Sequence, residues 1–362
     1  MELKDRENAQ LEVDLISGPQ SRRALAALLN HSFQVPEDHA FLGDFPIWDE
    51  SIVPSSEETV RIGAFSSGRQ ELAACAGVRM ARLKTPSGGL PVALIGAVAT
   101  HETYRGAGLA SGLVSLATEW AGARGASAVF LWGSEYSLYN RLGFELCGAQ
   151  VMVPLDSLEL SETEANSVQT GWDRSIFQRM KSREGGLALA DTDERWMAAH
   201  RSVEWFWVGD GQNCDAYVAV GRGIDLQGIV HEWGGEPAAL RSLLGWLRKQ
   251  RSGLTLLGAP WILERFGFRA QQAQPEFLCL ARVLQPELLV KAFYPNSDFS
   301  AHAQGSGFLV TSEQGSLQLD SAQIARLVLG PHLESASQET RQGGKRQLTV
   351  PIPLWIWGLD AV

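Results

Sequence analysis

The chain has 362 residues, more than a single hydrophobic core usually sustains, so its length predicts two or three domains. Hydrophobic residues at 45% and charged residues at 20% exclude a disordered chain, and a formal charge of −10 opposes nucleic acid and anionic membrane surfaces while favouring cationic partners. Cys75, Cys147, Cys214 and Cys279 contain no CxxC pair, which argues against zinc or a disulfide framework. The charged N-terminus and the lack of a long apolar run predict a cytoplasmic protein without a membrane segment.

In chain order, alternation at Leu11, Val13 and Leu15 predicts a strand, and Gly18-Pro19 opens a helix with the apolar stripe Leu25, Leu28 and Leu29. Residues 33–52 read as an irregular segment, rich in aromatic residues and acids, suited to walling a pocket. Three strand-like runs follow at 60–65, 72–82 and 90–100, separated by Ser-Gly and Pro-Ser-Gly-Gly turns that predict an antiparallel meander. Leu109, Leu113, Leu116 and Trp120 then recur at helical spacing, and residues 128–132 form a short buried strand.

An acidic, Ser/Thr-rich stretch at 156–170 reads as a linker. Beyond it come strands at 216–220 and 228–233, a helix from Pro237 with Leu240, Leu243, Leu244 and Leu247, and a strand at 254–257. This element order repeats the first unit, and Tyr139-Asn-Arg-Leu-Gly-Phe144 is echoed by Leu263-Glu-Arg-Phe-Gly-Phe268. The echo predicts an internal duplication, with domains at 1–155, 156–284 and 285–362.

Chemistry concentrates in Ile95-Gly-Ala-Val-Ala-Thr-His-Glu-Thr-Tyr-Arg-Gly-Ala-Gly-Leu-Ala110, an apolar strand entering a glycine turn and then an amphipathic helix. Glycines let backbone approach a phosphate, and a helix N-terminus offers unpaired N–H groups and a favourable dipole. A P-loop would need Gly-Lys-Ser/Thr, which is missing, and a dinucleotide fingerprint would need a parallel βαβ unit where this chain has a meander. Arg105-Gly-Ala-Gly108-Leu-Ala110 is similar to the Gln/Arg-x-x-Gly-x-Gly/Ala signature of the GNAT superfamily, and Tyr139 lies in a Tyr-x-x-x-Gly-Phe landmark that many such acetyltransferases share. The order of an active-looking unit, a second unit lacking the signature and a C-terminal domain resembles the enhanced-intracellular-survival type.

That resemblance implies an α+β chain of tandem GNAT folds, each a mixed and mostly antiparallel sheet with flanking helices. A small α+β C-terminal domain like a sterol carrier protein would follow. It implies acetyl-CoA as co-substrate, no metal, and direct attack by a primary amine in a ternary complex. Val98, Ala99 and Thr100 would lend backbone groups to the pantetheine arm; Arg105, Gly106, Ala107, Gly108, Leu109 and Ala110 would hold the pyrophosphate; Ser134 and Glu135 would border it.

A lysine-like amine is only about one part in a thousand neutral at pH 7, which costs roughly 4 kcal/mol and calls for a base, and the departing thiolate calls for an acid. Tyr139 is the expected acid, against the plainer reading of a packed core tyrosine. The terminal carboxylate of Val362 is the base that the resemblance implies, since the apolar ending suits insertion into a pocket; a packed chain end explains the same residues. His101 and Glu102, near the cofactor loop, are candidate bases but read more plainly as surface residues at a strand-to-loop turn, and His31, Asp38, His39 and Asp44 as polar side chains at the surface. Trp205, Phe206, Trp207, Trp355 and Trp357 read as interface packing.

The acceptor is expected to be a small-molecule or peptide amine, with a polycation such as an aminoglycoside favoured by the subgroup resemblance. Self-association into a homo-oligomer is compatible with this plan. The competing reading is a non-catalytic protein that senses acyl-CoA or holds a lipid or partner, against which Tyr139 argues.

Overall fold

Alternating apolar residues and three turns set the first sheet. In the computed structural model, which describes residues 3–4, 10–69, 71–160, 168–210, 212–268, 275–312, 315–330 and 351–361, the chain starts with β1 (Leu3–Lys4) and β2 (Gln10–Leu15). Helix α1 (Gly18–Ser32) follows with Leu25, Leu28 and Leu29 buried, then the short helix α2 (Phe41–Asp44). Strands β3 (Thr59–Phe65), β4 (Leu72–Thr85) and β5 (Gly88–Thr100) form the expected antiparallel meander. Helix α3 (Leu109–Ala123) leads to β6 (Ala128–Leu131), α4 (Tyr136–Arg141) and β7 (Glu145–Cys147).

The period of two along a strand sends neighbouring residues to opposite faces. Ala93 and Ile95 of β5 join Leu113, Val114, Ala117 and Ala121 of α3 in one apolar cluster. Val92 and Leu94 join Leu25, Leu28 and Leu29 of α1 in the other, which continues without a break into the second half of the chain. The face of the first sheet under α1 is thus buried by the rest of the molecule.

The second half contains β8 (Val151–Pro154), β9 (Gln169–Thr170), α5 (Arg174–Lys181), α6 (Glu194–Met197), β10 (Glu204–Gly209), β11 (Cys214–Arg222) and β12 (Asp225–Gly235). Helix α7 (Pro237–Gln250), β13 (Thr255–Gly258), α8 (Pro260–Arg265) and β14 (Cys279–Val283) complete it. Leu240, Leu243, Leu244 and Leu247 form the buried stripe of α7 that their spacing predicts.

Sheet pairing crosses the expected boundary at 155 in both directions. Strand β8 lies before residue 155 yet pairs antiparallel with β13, entering a six-stranded sheet ordered β8-β13-β12-β11-β10-β9. Strand β14 travels the other way: Leu280 faces Leu131 of β6 on one side and Leu146 of β7 on the other, inside the eight-stranded sheet β1-β2-β3-β4-β5-β6-β14-β7. Each half therefore lends one strand to its neighbour. The period-two pattern of these runs states which face is buried, and leaves open which sheet edge receives them.

The remaining elements are α9 (Pro286–Phe293), β15 (Ser300–Gln304), β16 (Gly307–Ser312), β17 (Gly315–Leu319) and α10 (Ser321–Leu329), with the three strands in one antiparallel sheet. Asp320 and Gln323 form a reciprocal capping box that starts α10. No helix among the described residues is long and apolar enough to cross a membrane.

Candidate active site

Strands β5 and β6 run parallel only at Ala93↔Val129, Leu94↔Phe130 and Ile95↔Leu131. Beyond that point β6 stops while β5 continues to Thr100, so a wedge opens between them. A bulge opposite Cys75–Gly77 bends β5 at this place, with Ala97 held at φ 51°. That left-handed geometry costs an alanine about 1 kcal/mol and is retained where a bulge re-aims the backbone. The His101 N–H donates to the Ala73 carbonyl at 2.8 Å, which makes this a bonded pair of the ladder. By alternation the N–H and C=O of Thr100 face away from β4, into the wedge. Val98 and Ala99 lie between the bulge and Thr100, with Ala99 opposite Cys75.

From Thr100 the chain makes one helical turn at Glu102–Tyr104, begun by the His101 side chain accepting from the Thr103 N–H. Gly106 and Gly108 then take φ of 83° and 79°, and Gly108 caps α3 without any side-chain hydrogen bond. A Cβ added at either glycine would meet nothing within 4 Å, so the requirement for glycine is conformational and the loop surface stays open. The first N–H groups of α3, from Leu109 and Ala110 onward, have no carbonyl partner inside the helix and carry the positive end of its dipole. Ala107 is half-buried under this turn, and Arg105 is exposed with its Nε turned back to the Thr100 carbonyl at 3.5 Å.

Tyr139 sits at the blunt end of the wedge. It lies on α4, only 6% exposed, with its ring edge-on to Phe144 at 6.3 Å. Its place depends on Gly133, two residues past β6, where a Cβ would come within 2.8 Å of the ring and 3.0 Å of Oη. Sequence reasoning missed Gly133; its small size directly after the last parallel strand was the available signal. The Tyr139 carbonyl accepts from the Phe144 N–H at 3.1 Å, which closes the turn at Gly143 (φ 80°). Burial, and then the nearby Glu135 carboxylate, hold the phenol above its ordinary pKa, so it keeps its proton and can give it. Ser134 and Glu135 are exposed at the start of α4, on the rim.

Other expected residues fall elsewhere. His101 and Glu102 are at the surface, as expected, with His101 Nε2 3.9 Å from Glu71 and its ring stacked on His31 at 6.2 Å. Asp44 is a correction: it is buried, accepts from Ser202 Oγ at 2.5 Å and lies 3.7 Å from His39 Nδ1. The segment at 33–52 packs against the second half of the chain, and this contact buries Asp44. Val362 lies outside the described residues.

Around the echoed motif at 263–268 a parallel strand pair recurs with different surroundings. Strands β12 and β13 are parallel at Ile229↔Thr255 and Val230↔Leu256. Leu263 packs beside Gly258 as Tyr139 does beside Gly133, and the Phe268 N–H donates to its carbonyl at 2.8 Å. Here the space is filled by Trp233, by Trp357 at 5.2 Å from it, and by Gly358, whose N–H donates to the His231 carbonyl. Only Glu236 separates β12 from α7, which opens on Pro237, so no glycine loop exists and one N–H is missing. Beneath the filling, Arg183 bridges Glu232 and Asp360, all fully buried. Burial pushes the Glu232 carboxyl up to about 7, and the facing Asp360 and Glu232 keep Arg183 charged despite its desolvation.

Comparison with known proteins agrees with the geometry. Residues 19–147 match a family model described as an acetyltransferase (GNAT) domain. Among solved structures, a GCN5-related N-acetyltransferase from Kribbella flavida is 16% identical with a TM-score of 0.57, over 86% of this chain and 84% of that one. A probable N-acyltransferase from Enterococcus faecalis is 12% identical with the same TM-score and coverages of 86% and 84%. Eis1 from Mycobacterium abscessus is 13% identical at 0.55, over 85% and 84%. No curated protein matches in sequence. The wedge and the glycine loop lie within residues 19–147, which match an acetyltransferase (GNAT) domain, and that match supports an acyltransferase.

Proposed function

We propose that the chain moves an acetyl group from acetyl-CoA to a primary amine. The observation that carries this reading is the wedge between β5 and β6, with an uncapped helix N-terminus at one side and a protonated phenol at its blunt end. Acetyl-CoA would supply the activated thioester. The Thr100 backbone, supported by Val98 and Ala99, orients the arm; the 105–110 turn offers N–H groups to a diphosphate; Ser134 and Glu135 border it. Tyr139 holds a proton for the leaving thiolate.

In this reading the second half is a degenerate copy of the first, its wedge occupied by the chain's own residues 355–358. The last unit, from 285, is read as a small α+β domain of the sterol-carrier type. The acceptor is read as an amine-bearing small molecule or peptide, with polycations first to be tried because the chain is acidic. The test is thiol release from acetyl-CoA against a panel of aminoglycosides, polyamines, amino acids and lysine peptides. Saturable turnover with one class supports the reading; binding of acetyl-CoA without turnover on any amine refutes it.

A further inference from the structure

Cys147 of β7 and Cys279 of β14 are direct partners in the antiparallel ladder, with their sulfurs 3.7 Å apart. Opposite residues in such a ladder have Cα atoms about 4.5–5.5 Å apart, inside the span a disulfide bridges without backbone movement. The two thiols come from opposite halves of the chain, since β14 is the strand lent to the first sheet. The pair is also asymmetric. Cys147 is fully enclosed, whereas Cys279 borders a cavity of about 380 Å³ also lined by Trp132, Gly133, Tyr136, Gln150 and Glu276. Burial and the adjacent sulfur hold the Cys147 thiol well above its ordinary pKa, so Cys147 keeps its proton beside Cys279.

We propose that Cys279 and Cys147 form a peroxide-reactive dithiol, with Cys279 the attacking and Cys147 the resolving residue. The Cys279 sulfur attacks one oxygen of hydrogen peroxide: an S–O bond forms, the O–O bond breaks, and the departing hydroxide leaves as water with the Cys279 proton. The Cys147 sulfur then attacks the Cys279 sulfenic acid. The S–S bond forms, the S–O bond breaks, and the second water carries away the Cys147 proton. Two thiols lose two electrons and one peroxide becomes two waters. The product is a covalent staple between the borrowed strand and its host. Cys75 and Cys214 are internal controls: both are buried, and in their ladders Cys75 faces Gly63 and Ala99 while Cys214 faces Gly209, so neither is opposite a cysteine.

The test uses the full-length protein, reduced and then exposed to hydrogen peroxide, with thiols counted after denaturation and peptides mapped by mass spectrometry. Wild type is expected to lose two of its four thiols and yield a Cys147–Cys279 linked peptide. Its melting temperature should rise, because the cross-link restricts the unfolded chain. Cys147→Ser should stop at a sulfenic acid on Cys279 that dimedone traps, and Cys279→Ser should keep its remaining thiols. Survival of all four thiols overturns the proposal, as does a cross-link through Cys75 or Cys214, or equal loss of Cys147 in Cys279→Ser. The wild-type peptide map decides the matter even if a serine variant fails to fold.

Discussion

Two parallel strand pairs among the described residues open into wedges, and their surroundings differ. Between β5 and β6 the chain interposes a loop with two left-handed glycines before α3; between β12 and β13 it goes from Gly235 through a single residue to Pro237. The first wedge ends on a phenol and the second on Leu263, each beside a glycine that admits it. The parallel pair and the glycine beside its end recur in both places, while one is flanked by a glycine loop and a phenol and the other by tryptophans.

The sharpest way to break this contrast is Tyr139→Phe, which keeps the ring and removes the proton. Turnover is expected to fall roughly 10²–10⁴-fold with acetyl-CoA affinity nearly unchanged, read by steady-state kinetics beside calorimetric titration. An unaltered kcat would put Tyr139 back among core residues. On the filled side, Arg183→Met strands two buried carboxylates and should cost about 3–5 kcal/mol in denaturant unfolding; a loss under about 1 kcal/mol would mean the ion pairs do not hold the closing segment.

Acid should loosen the filled wedge. Burial, and next the Arg222 charge, push His231 down to about 4, and burial likewise pushes His200 to about 3, against about 6.5 in an unfolded chain. Unfolding then takes up protons, so the stability they contribute is present above pH 6.5 and lost as pH falls toward 4. Glu232, raised to about 7, works in the opposite direction, and two histidines outweigh it below pH 6.5. Melting temperatures should decline from pH 6.5 to 4, and His231→Gln should flatten part of that slope. The smallest effect is expected from Gly108→Val, where a β-branched residue must hold φ 79°. A strain of about 1–2 kcal/mol predicts roughly tenfold weaker acetyl-CoA binding. Full affinity in that variant would separate the loop from diphosphate recognition.

Much of the first wedge was legible in the residues. Periodicity placed β3, β4, β5 and α3, and glycine chemistry identified the turn at 105–108, because both signals are local. Three features were not. The destinations of β8 and β14 depend on which sheet edge is vacant, a property of the assembled fold. Asp44 reads as a surface acid until Ser202, far along the chain, covers it. Residues 355–357 announce an apolar anchor, yet nothing local says that it fills the echoed wedge.

The lent strands also govern how the protein is made. During synthesis β6 and β7 leave the ribosome with a vacant lane between them, and the strand that closes it is translated only after nearly all of the second half. Through that interval the nascent acetyltransferase sheet exposes unpaired edges of the kind that seed aggregation. A gene fragment that stops before codon 279 should give an insoluble product even though it encodes every residue proposed to hold acetyl-CoA.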